Sequence, residues 1–249
     1  MSSTDATGRK RLVVPVVITL VLILMTALLV TRPGQGGGDD KSQAPAVAVT
    51  PDGSEQPSGA AQGQDASATL ARRQANDPMA IGKQDAPVVM VAYSEFQCPF
   101  CGKFARDTEP TLVKQYVDKG VLRIEWRDFP YLGEESWTAA RAGRAAGAQG
   151  KFWQFHDALY AEQLPPNSGR LTEEYVTEVA REVGLDTRQF TQDLGSATLL
   201  DGIQRDFQEG QSIGVNGTPA FLINGQPVMG AQPTAEFVKV IEQAAKSAS

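Results

Sequence analysis

Hydrophobic and polar positions divide the chain into three stretches of different character. Residues 12–30 form an apolar run without a single charge, and a helix of that length rises about 28 Å, close to the hydrocarbon thickness of a bilayer. Residues 31–75 are rich in Gly, Ser, Pro, Gln and Ala and show no sustained period, which is typical of a flexible linker. From residue 76 onward, short apolar runs and helical periods alternate, as one packed domain requires.

The charges around the apolar run predict its orientation. Three basic residues precede it and Arg32 alone follows, so residues 1–11 should stay in the cytoplasm and the rest should be exported. A cleavable signal peptide is the alternative, but the run is longer than a usual signal core and no small-x-small cleavage site follows it. We therefore expect a single-pass membrane anchor at 12–30, with residues 76–249 outside the cell membrane.

The domain opens with a βαβ pattern and continues with a block of helices. A β-branched apolar run predicts a buried strand at 88–94, and the pattern continues with a helix at 98–118 and a strand at 121–127. Further helices are predicted at 134–149, 152–161, 172–183 and 197–213, with a short turn from Asp186. A hairpin at 220–229 turns at Asn224-Gly225, and a helix at 233–245 closes the chain. This order predicts an α/β fold with helices inserted at about 132–212.

Cys98 and Cys101 are the only cysteines, and they stand in one C-x-x-C where the first strand should meet the first helix. A zinc site needs four protein ligands, or three and a water, and the single histidine, His156, cannot complete one. A structural disulfide would close a very short loop, from which little stabilisation is expected. A redox-active dithiol is therefore the favoured interpretation.

The residues of this motif suit a helix start. Pro99 fits the first helical position because its missing N–H is not needed there, and Cys98 then falls at the N-cap. The free amides of the first turn and the positive end of the helix dipole favour a thiolate at Cys98. A stabilised thiolate stabilises the reduced form, which makes the disulfide a stronger oxidant. This interpretation requires a Cys98 sulfur that is ionised near neutral pH and reachable by solvent.

Five segments together resemble the DsbA family of thioredoxin-fold oxidoreductases over about residues 76–246. They are DAPV at 85–88, SEFQCPFC at 94–101, RDFP at 127–130, KFWQFHDAL at 151–159 and GTPAFLING at 217–225. The resemblance implies a thioredoxin core with a helical insertion, Cys98 as the nucleophile and Cys101 as the resolving cysteine. It also implies that Pro219 is a cis-proline facing them, which would free the backbone of Thr218 to pair with a substrate strand.

Two features depart from the family pattern. Thioredoxin and several relatives carry a buried acid six residues before the first cysteine, where this chain has Ala92. Glu95 is the available carboxylate, and it is either a surface residue at a strand end or a group that takes part in proton transfer. The Pro-Phe pair between the cysteines lacks the histidine of some DsbA proteins, so the lowering of the Cys98 pKa should be milder. Phe100 is expected to be partly exposed, where it either packs or contacts substrate.

Other conspicuous side chains are expected to be structural. His156 lies in an aromatic helical stretch that favours a packed or surface histidine over a catalytic one. Thr218 either tunes the nearby sulfur or shapes its turn. Four aromatic residues are expected to fill the core of the insertion: Trp137, Phe152, Trp153 and Phe155.

The net charge of −6 argues against nucleic-acid binding and selects no substrate class. The resemblance implies an enzyme without a cofactor that oxidises exported proteins bearing free thiols. It also implies reoxidation by a quinone-linked membrane protein, of the DsbB type or related to vitamin K epoxide reductase. A disulfide reductase or isomerase of the same fold is the nearest alternative, and a tethered peptide-binding chaperone module is a second. A glutathione-dependent transferase is disfavoured because it would normally have serine at position 98.

Overall fold

The computed structural model describes residues 70–248, in which a five-stranded sheet has the order β1-β3-β2-β4-β5. The strands are β1 Ala80–Ile81, β2 Val88–Ser94, β3 Leu122–Asp128, β4 Ala220–Ile223 and β5 Gln226–Met229. β2 runs parallel to β3, and the other neighbouring strands are antiparallel. The anchor predicted at 12–30 lies outside the described residues, as does most of the linker. None of the helices in the described part is both long enough and apolar enough to span a bilayer.

Eight α-helices and one π-helical segment surround the sheet within residues 70–248. They are α1 Pro99–Asp107, α2 Glu109–Leu112, the π segment Val113–Val117, α3 Glu134–Ala148, α4 Phe152–Ala161, α5 Glu173–Glu182, α6 Thr187–Leu194, α7 Ala197–Ser212 and α8 Thr234–Ser247. Helices α3 to α7 fill the sequence between β3 and β4. The predicted insertion of helices into an α/β core is therefore confirmed.

The single helix predicted over 98–118 is wrong. The chain forms α1, breaks at Thr108, and continues as α2 and the π segment. Pro110 accounts for the break, because it has no N–H to donate to the turn before it and its ring crowds that turn. The Thr108 carbonyl then accepts from the amides of Thr111 and Leu112.

The structure also contains a strand that the pattern missed. β1 has two residues and pairs with β3, with Ala80 opposite Glu125, and it is too short to show an alternation of its own. β3 itself is shifted by one residue from the prediction and is buried along its whole length, including its charged residues.

The helical insertion packs against the end of the sheet that carries the cysteines. Its core contains Phe152 and Phe155 together with Cys98 and Cys101. Phe152 and Phe155 are buried, as predicted, and Trp153 is partly buried against the same core. His156 is buried too, which decides between the packed and the surface position that the sequence left open. The ring of the fourth aromatic residue, Trp137, lies 5.9 Å from the ring of Phe207 in α7. Aromatic side chains of the insertion thus pack in the same core as the two cysteines.

Charged residues of β3 belong to a second cluster, the β3 ion-pair network. It is defined by the buried Arg123, Glu125 and Arg127 of the strand and by the more exposed Arg72 and Glu209. Glu125 accepts hydrogen bonds from Arg123 Nε at 2.8 Å and from Arg127 Nη2 at 3.0 Å. The backbone amides of Arg72 and Arg73 donate to the same carboxylate at 2.9 and 2.8 Å. The network ties the segment that precedes β1 to the sheet.

Candidate active site

Cys98 and Cys101 are free thiols at the junction of β2 and α1. Cys98 is the N-cap residue of α1 and Pro99 follows at the first helical turn, as predicted. Three residues, Glu95 to Gln97, connect the strand end to this cap, and the Cys98 amide donates to the Glu95 carbonyl at 3.3 Å. The strand direction and the proline therefore fix where the first sulfur stands.

The loop before β4 brings Thr218 and Pro219 to the dithiol. The Thr218–Pro219 peptide bond is cis, and the Cys98 thiol donates to the Thr218 carbonyl oxygen at 3.2 Å. The amide of Gly230, just after β5, donates to the Pro219 carbonyl at 2.8 Å and anchors the loop. Residues more than a hundred positions apart in sequence thus meet at one sulfur, as the resemblance implied.

The expectation that solvent reaches Cys98 is wrong for the dithiol form. Cys98 is only 2% exposed, whereas Phe100 is 63% exposed. The loop at Thr218 lies directly against the sulfur, and the insertion core packs behind it, so neither side is open to water. A substrate sulfur can therefore reach Cys98 only if these neighbours yield to it.

The surroundings of Cys98 favour its ionised form. Interaction with the Cys101 thiol is the largest influence and, with the Thr218 hydroxyl and the amides of Cys101 and Phe100, it outweighs burial and lowers the pKa of Cys98 to about 6. The contact to the Thr218 carbonyl acts the other way, because only the thiol can donate to it. The donors together outweigh this contact, because the Thr218 hydroxyl makes no hydrogen bond in good geometry within residues 70–248 and can turn to donate to the sulfur.

Cys101 has the opposite character. Burial raises the pKa of the Cys101 thiol well above its ordinary value, and interaction with Cys98 raises it further. The side chain of Ser94, at the end of β2, provides a weaker interaction that lowers the pKa. The surroundings therefore favour a thiolate at Cys98 and a protonated thiol at Cys101.

Glu95 is buried beside the dithiol, which excludes the surface position that the sequence left open. It is 2% exposed, and neither carboxylate oxygen has a hydrogen-bond partner in good geometry among the described residues. Burial raises the pKa of Glu95 to about 7; the Ser136 hydroxyl and the Leu132 backbone lower it somewhat, and the charge of Cys98 raises it. A carboxyl group without a counter-charge thus faces the ionisable sulfur.

The sequence did not reveal several residues that shape this site. Tyr160 of α4 donates from its hydroxyl to the Glu95 carbonyl at 2.9 Å, and Gln163 donates to the carbonyls of Phe96 and Cys98, each at 2.9 Å. Tyr131 interacts with the Thr218 side chain and is 42% exposed. Only Tyr131 had a sequence signal, because it directly follows the RDFP segment.

The chain is similar in sequence to known proteins of one fold family. The sequence model of a family described as Thioredoxin matches residues 74–243. A probable disulfide bond formation protein D from Bacillus anthracis is 33% identical over 149 residues, which are 58% of this chain and 69% of that one.

Solved structures show the same fold. A thioredoxin-like oxidoreductase from Silicibacter pomeroyi DSS-3 is 31% identical, with a TM-score of 0.59 over 70% of this chain and 99% of that one. BdbD from Bacillus subtilis, in its oxidised form, is 24% identical, with a TM-score of 0.64 over 69% of this chain and 94% of that one. The chain belongs to the DsbA-like family of thioredoxin-fold proteins. It is a thiol-disulfide oxidoreductase.

Within residues 70–248, one cluster of side chains in this DsbA-like protein has the composition of a metal site. Glu109, His156 and Asp157 offer ligand atoms that lie within 4.8 Å of one another. The Asp157 carboxylate accepts a hydrogen bond from His156 Nδ1–H at 2.8 Å, while Glu109 lies 3.9 Å from Nε2. The two acidic groups thus use opposite ring nitrogens, and one ion cannot bind both nitrogens, so this cluster fits a packed histidine better than a metal centre.

Proposed function

We propose that this chain is an extracytoplasmic disulfide oxidase that introduces disulfides into exported proteins through Cys98 and Cys101. The observation that carries the proposal is the difference between the two sulfurs: the pKa of Cys98 is lowered to about 6 while that of Cys101 is raised. A lowered pKa stabilises the reduced enzyme by about 1.4 kcal/mol at pH 7, which makes the disulfide more oxidising by about 30 mV.

The sign of this effect fixes its pH range. Because the pKa of Cys98 is depressed from 9.0 to about 6, the stabilisation of the reduced form is complete above about pH 9 and is lost as pH falls through about 6. A driving force for oxidation is therefore present at neutral pH and disappears in acid.

Each side chain has a role in the proposed exchange. A substrate thiolate attacks the Cys98 sulfur, the bond between Cys98 and Cys101 breaks, and Cys101 keeps the electron pair and takes a proton. A second substrate thiolate then attacks the substrate sulfur of the mixed disulfide and releases the Cys98 thiolate. The substrate is oxidised by two electrons and the enzyme dithiol is reduced.

Substrate contacts come from the loop and the helix start. The backbone of Thr218 next to Pro219 would pair with an extended substrate segment, and the Thr218 hydroxyl would hold the released thiolate. Phe100, exposed beside Pro99, offers an apolar contact to an unfolded chain. The substrates are exported proteins with free thiols, recognised by main-chain pairing and apolar contact more than by charge.

The proposed location follows from the sequence. Residues 1–11 would lie in the cytoplasm, 12–30 would anchor the chain, 31–75 would act as a linker, and 76–249 would form the catalytic domain with its insertion at about 132–212. A domain held near the membrane suits reoxidation by a quinone-linked membrane protein of the DsbB or vitamin K epoxide reductase type.

Equilibration of the full chain with glutathione tests the direction of transfer. We expect a reduction potential above about −200 mV at pH 7, and a value near or below about −270 mV would assign a reductase instead. Cys98→Ser should abolish oxidation of a reduced, unfolded substrate. If Cys98→Ser kept the whole effect on substrate folding, a peptide-binding chaperone would be the better assignment.

A further inference from the structure

Glu95 is a buried carboxyl group at the active site that the proposed exchange does not use. Its carboxylate is enclosed by groups from four elements: Cys98 at the start of α1, Ser136 of α3, Tyr160 of α4, and Tyr131 and Leu132 between β3 and α3. No arginine or lysine within residues 70–248 forms an ion pair with it. An ionised Glu95 is therefore held without a counter-charge, next to a sulfur that also ionises.

The hydrogen bonds around Glu95 give its carboxylate little support. Gln97 donates to Ser136 Oγ at 2.8 Å, so the hydroxyl hydrogen of Ser136 stays available for the Glu95 carboxylate. Tyr160 is already donating to the Glu95 backbone carbonyl. The carboxylate depends on the Ser136 hydroxyl and the Leu132 backbone, whereas the Cys98 thiolate depends on Cys101 and Thr218. Two like charges in one buried site disfavour each other. The charges on Glu95 and Cys98 therefore compete.

We propose that Glu95 takes up a proton when the Cys98–Cys101 disulfide is reduced and gives it back when the disulfide re-forms. In the oxidised enzyme no thiolate exists, so Glu95 is free to ionise. Oxidation of a dithiol substrate releases two protons and two electrons. The electrons reduce the disulfide, one proton goes to Cys101, and the other goes to Glu95, which leaves Cys98 as the thiolate. Charge and atoms then balance without a proton entering from solvent.

This inference rests on the proposed function only in that Cys98 is the cysteine that ionises. It goes further because it makes the oxidising strength depend on a residue outside the C-x-x-C. Glu95 is a positioning residue and not a catalytic one, because it acts on the Cys98 thiolate through its charge and need not touch the substrate. The coupling has a sign: an ionised Glu95 opposes the thiolate and weakens the oxidant at alkaline pH.

The equilibrium constant for reduction by glutathione, measured across pH for the full chain, tests the coupling. Wild type and Glu95→Gln should agree near about pH 5, where Glu95 is protonated, and the variant should be reduced about threefold to tenfold more readily near about pH 8. Glu134→Gln, which removes an exposed carboxylate from the first turn of α3, should follow the wild type throughout. A purely structural role for Glu95 would shift the constant by the same factor at every pH and would overturn the proposal.

A second measurement needs no variant. The carboxyl carbon of Glu95, followed by NMR, should titrate at higher pH in the reduced than in the oxidised wild-type chain. Equal midpoints in both redox states would contradict the inference even if the enzyme is a strong oxidant. Conversely, a reducing potential with separate midpoints would reject the oxidase assignment and leave the proton coupling intact.

Discussion

Two glutamates of the same sheet are equally buried and behave in opposite ways. Glu95 at the end of β2 is 2% exposed and Glu125 in β3 is 0% exposed. Burial raises the pKa of Glu95 to about 7. Burial acts on Glu125 as well, but hydrogen bonds from Arg123 and Arg127 outweigh it and lower the pKa below its ordinary value. The hydrogen-bond partners of each carboxylate, and not its degree of burial, therefore decide whether it stays charged.

The difference separates a structural charge from a reactive one. Glu125 has two guanidinium partners and two backbone amides, so its charge is fixed across the working pH range. Glu95 has no such partners and titrates near neutral pH, beside Cys98. A buried acid without partners costs stability, and its place at the dithiol is where a change of protonation can serve the chemistry.

Glu125→Gln should cause the largest loss of stability. It leaves two buried arginines facing a neutral amide, and breaking a buried ion pair on one side costs about 3–5 kcal/mol. Urea unfolding of the full chain at neutral pH measures the change. Glu236→Gln, at a half-exposed position of α8 that pairs weakly with Lys239, serves as the control and should change stability by less than about 1 kcal/mol. Similar losses for both variants would mean that the β3 ion-pair network does not hold the fold.

The same substitution at Glu95 should have the opposite sign. A pKa raised from 4.5 to about 7 means that folding stability falls as pH rises from about 4.5 to about 7 and is level above that range. Glu95→Gln removes this loss, so the variant should be more stable than the wild type by about 1–3 kcal/mol at pH 8. Near about pH 4.5 the two should be alike. A variant that is less stable than the wild type at pH 8 would show that Glu95 has a stabilising partner.

Thr218→Val extends the comparison from the carboxylates to the sulfur. It removes a hydroxyl that favours the Cys98 thiolate and keeps the size of the side chain, so the pKa of Cys98 should rise by up to about one unit, or about 1.4 kcal/mol. The absorbance of the thiolate against pH measures the shift. Ser136→Ala, which removes the hydroxyl near Glu95 instead, is the matched comparison and should raise the pKa of Glu95. An unchanged Cys98 titration in Thr218→Val would assign the hydroxyl to the turn alone.

Phe100→Ala should have the smallest effect on the fold. The side chain is 63% exposed, so the stability should stay within about 0.5 kcal/mol of the wild type. Oxidation of an unfolded protein should slow through a higher KM, while reduction by glutathione should be unchanged. If both reactions slow alike, Phe100 shapes the helix start and does not contact the substrate.

Features that depend on residues adjacent in sequence could be predicted from the sequence. The run at 88–94, the proline at the helix start and Asn224-Gly225 each specify local geometry, and the strand, the cap at Cys98 and the hairpin are all present. The break at Thr108 was also local, since Pro110 signalled it, yet the helical period around it predicted a longer helix.

Features that depend on distant partners were not predictable in the same way. The burial of the charged residues of β3 was not predictable, because nothing nearby in the sequence shows that Arg72 and Glu209 will meet them. Tyr160 is separated from Glu95 by 65 positions, so neither the support of that backbone nor the isolation of its carboxylate is visible in the chain. The burial of Cys98 likewise depends on a loop that arrives from position 218.

The titration of the reduced full chain by thiolate absorbance tests the central claim most directly. We predict a single thiolate formed with a midpoint near pH 6, lost in Cys98→Ser and kept in Cys101→Ser with a higher midpoint because the Cys101 interaction is the largest influence on Cys98. A first thiolate that forms only near about pH 8.5, the value of an ordinary cysteine, would contradict the account.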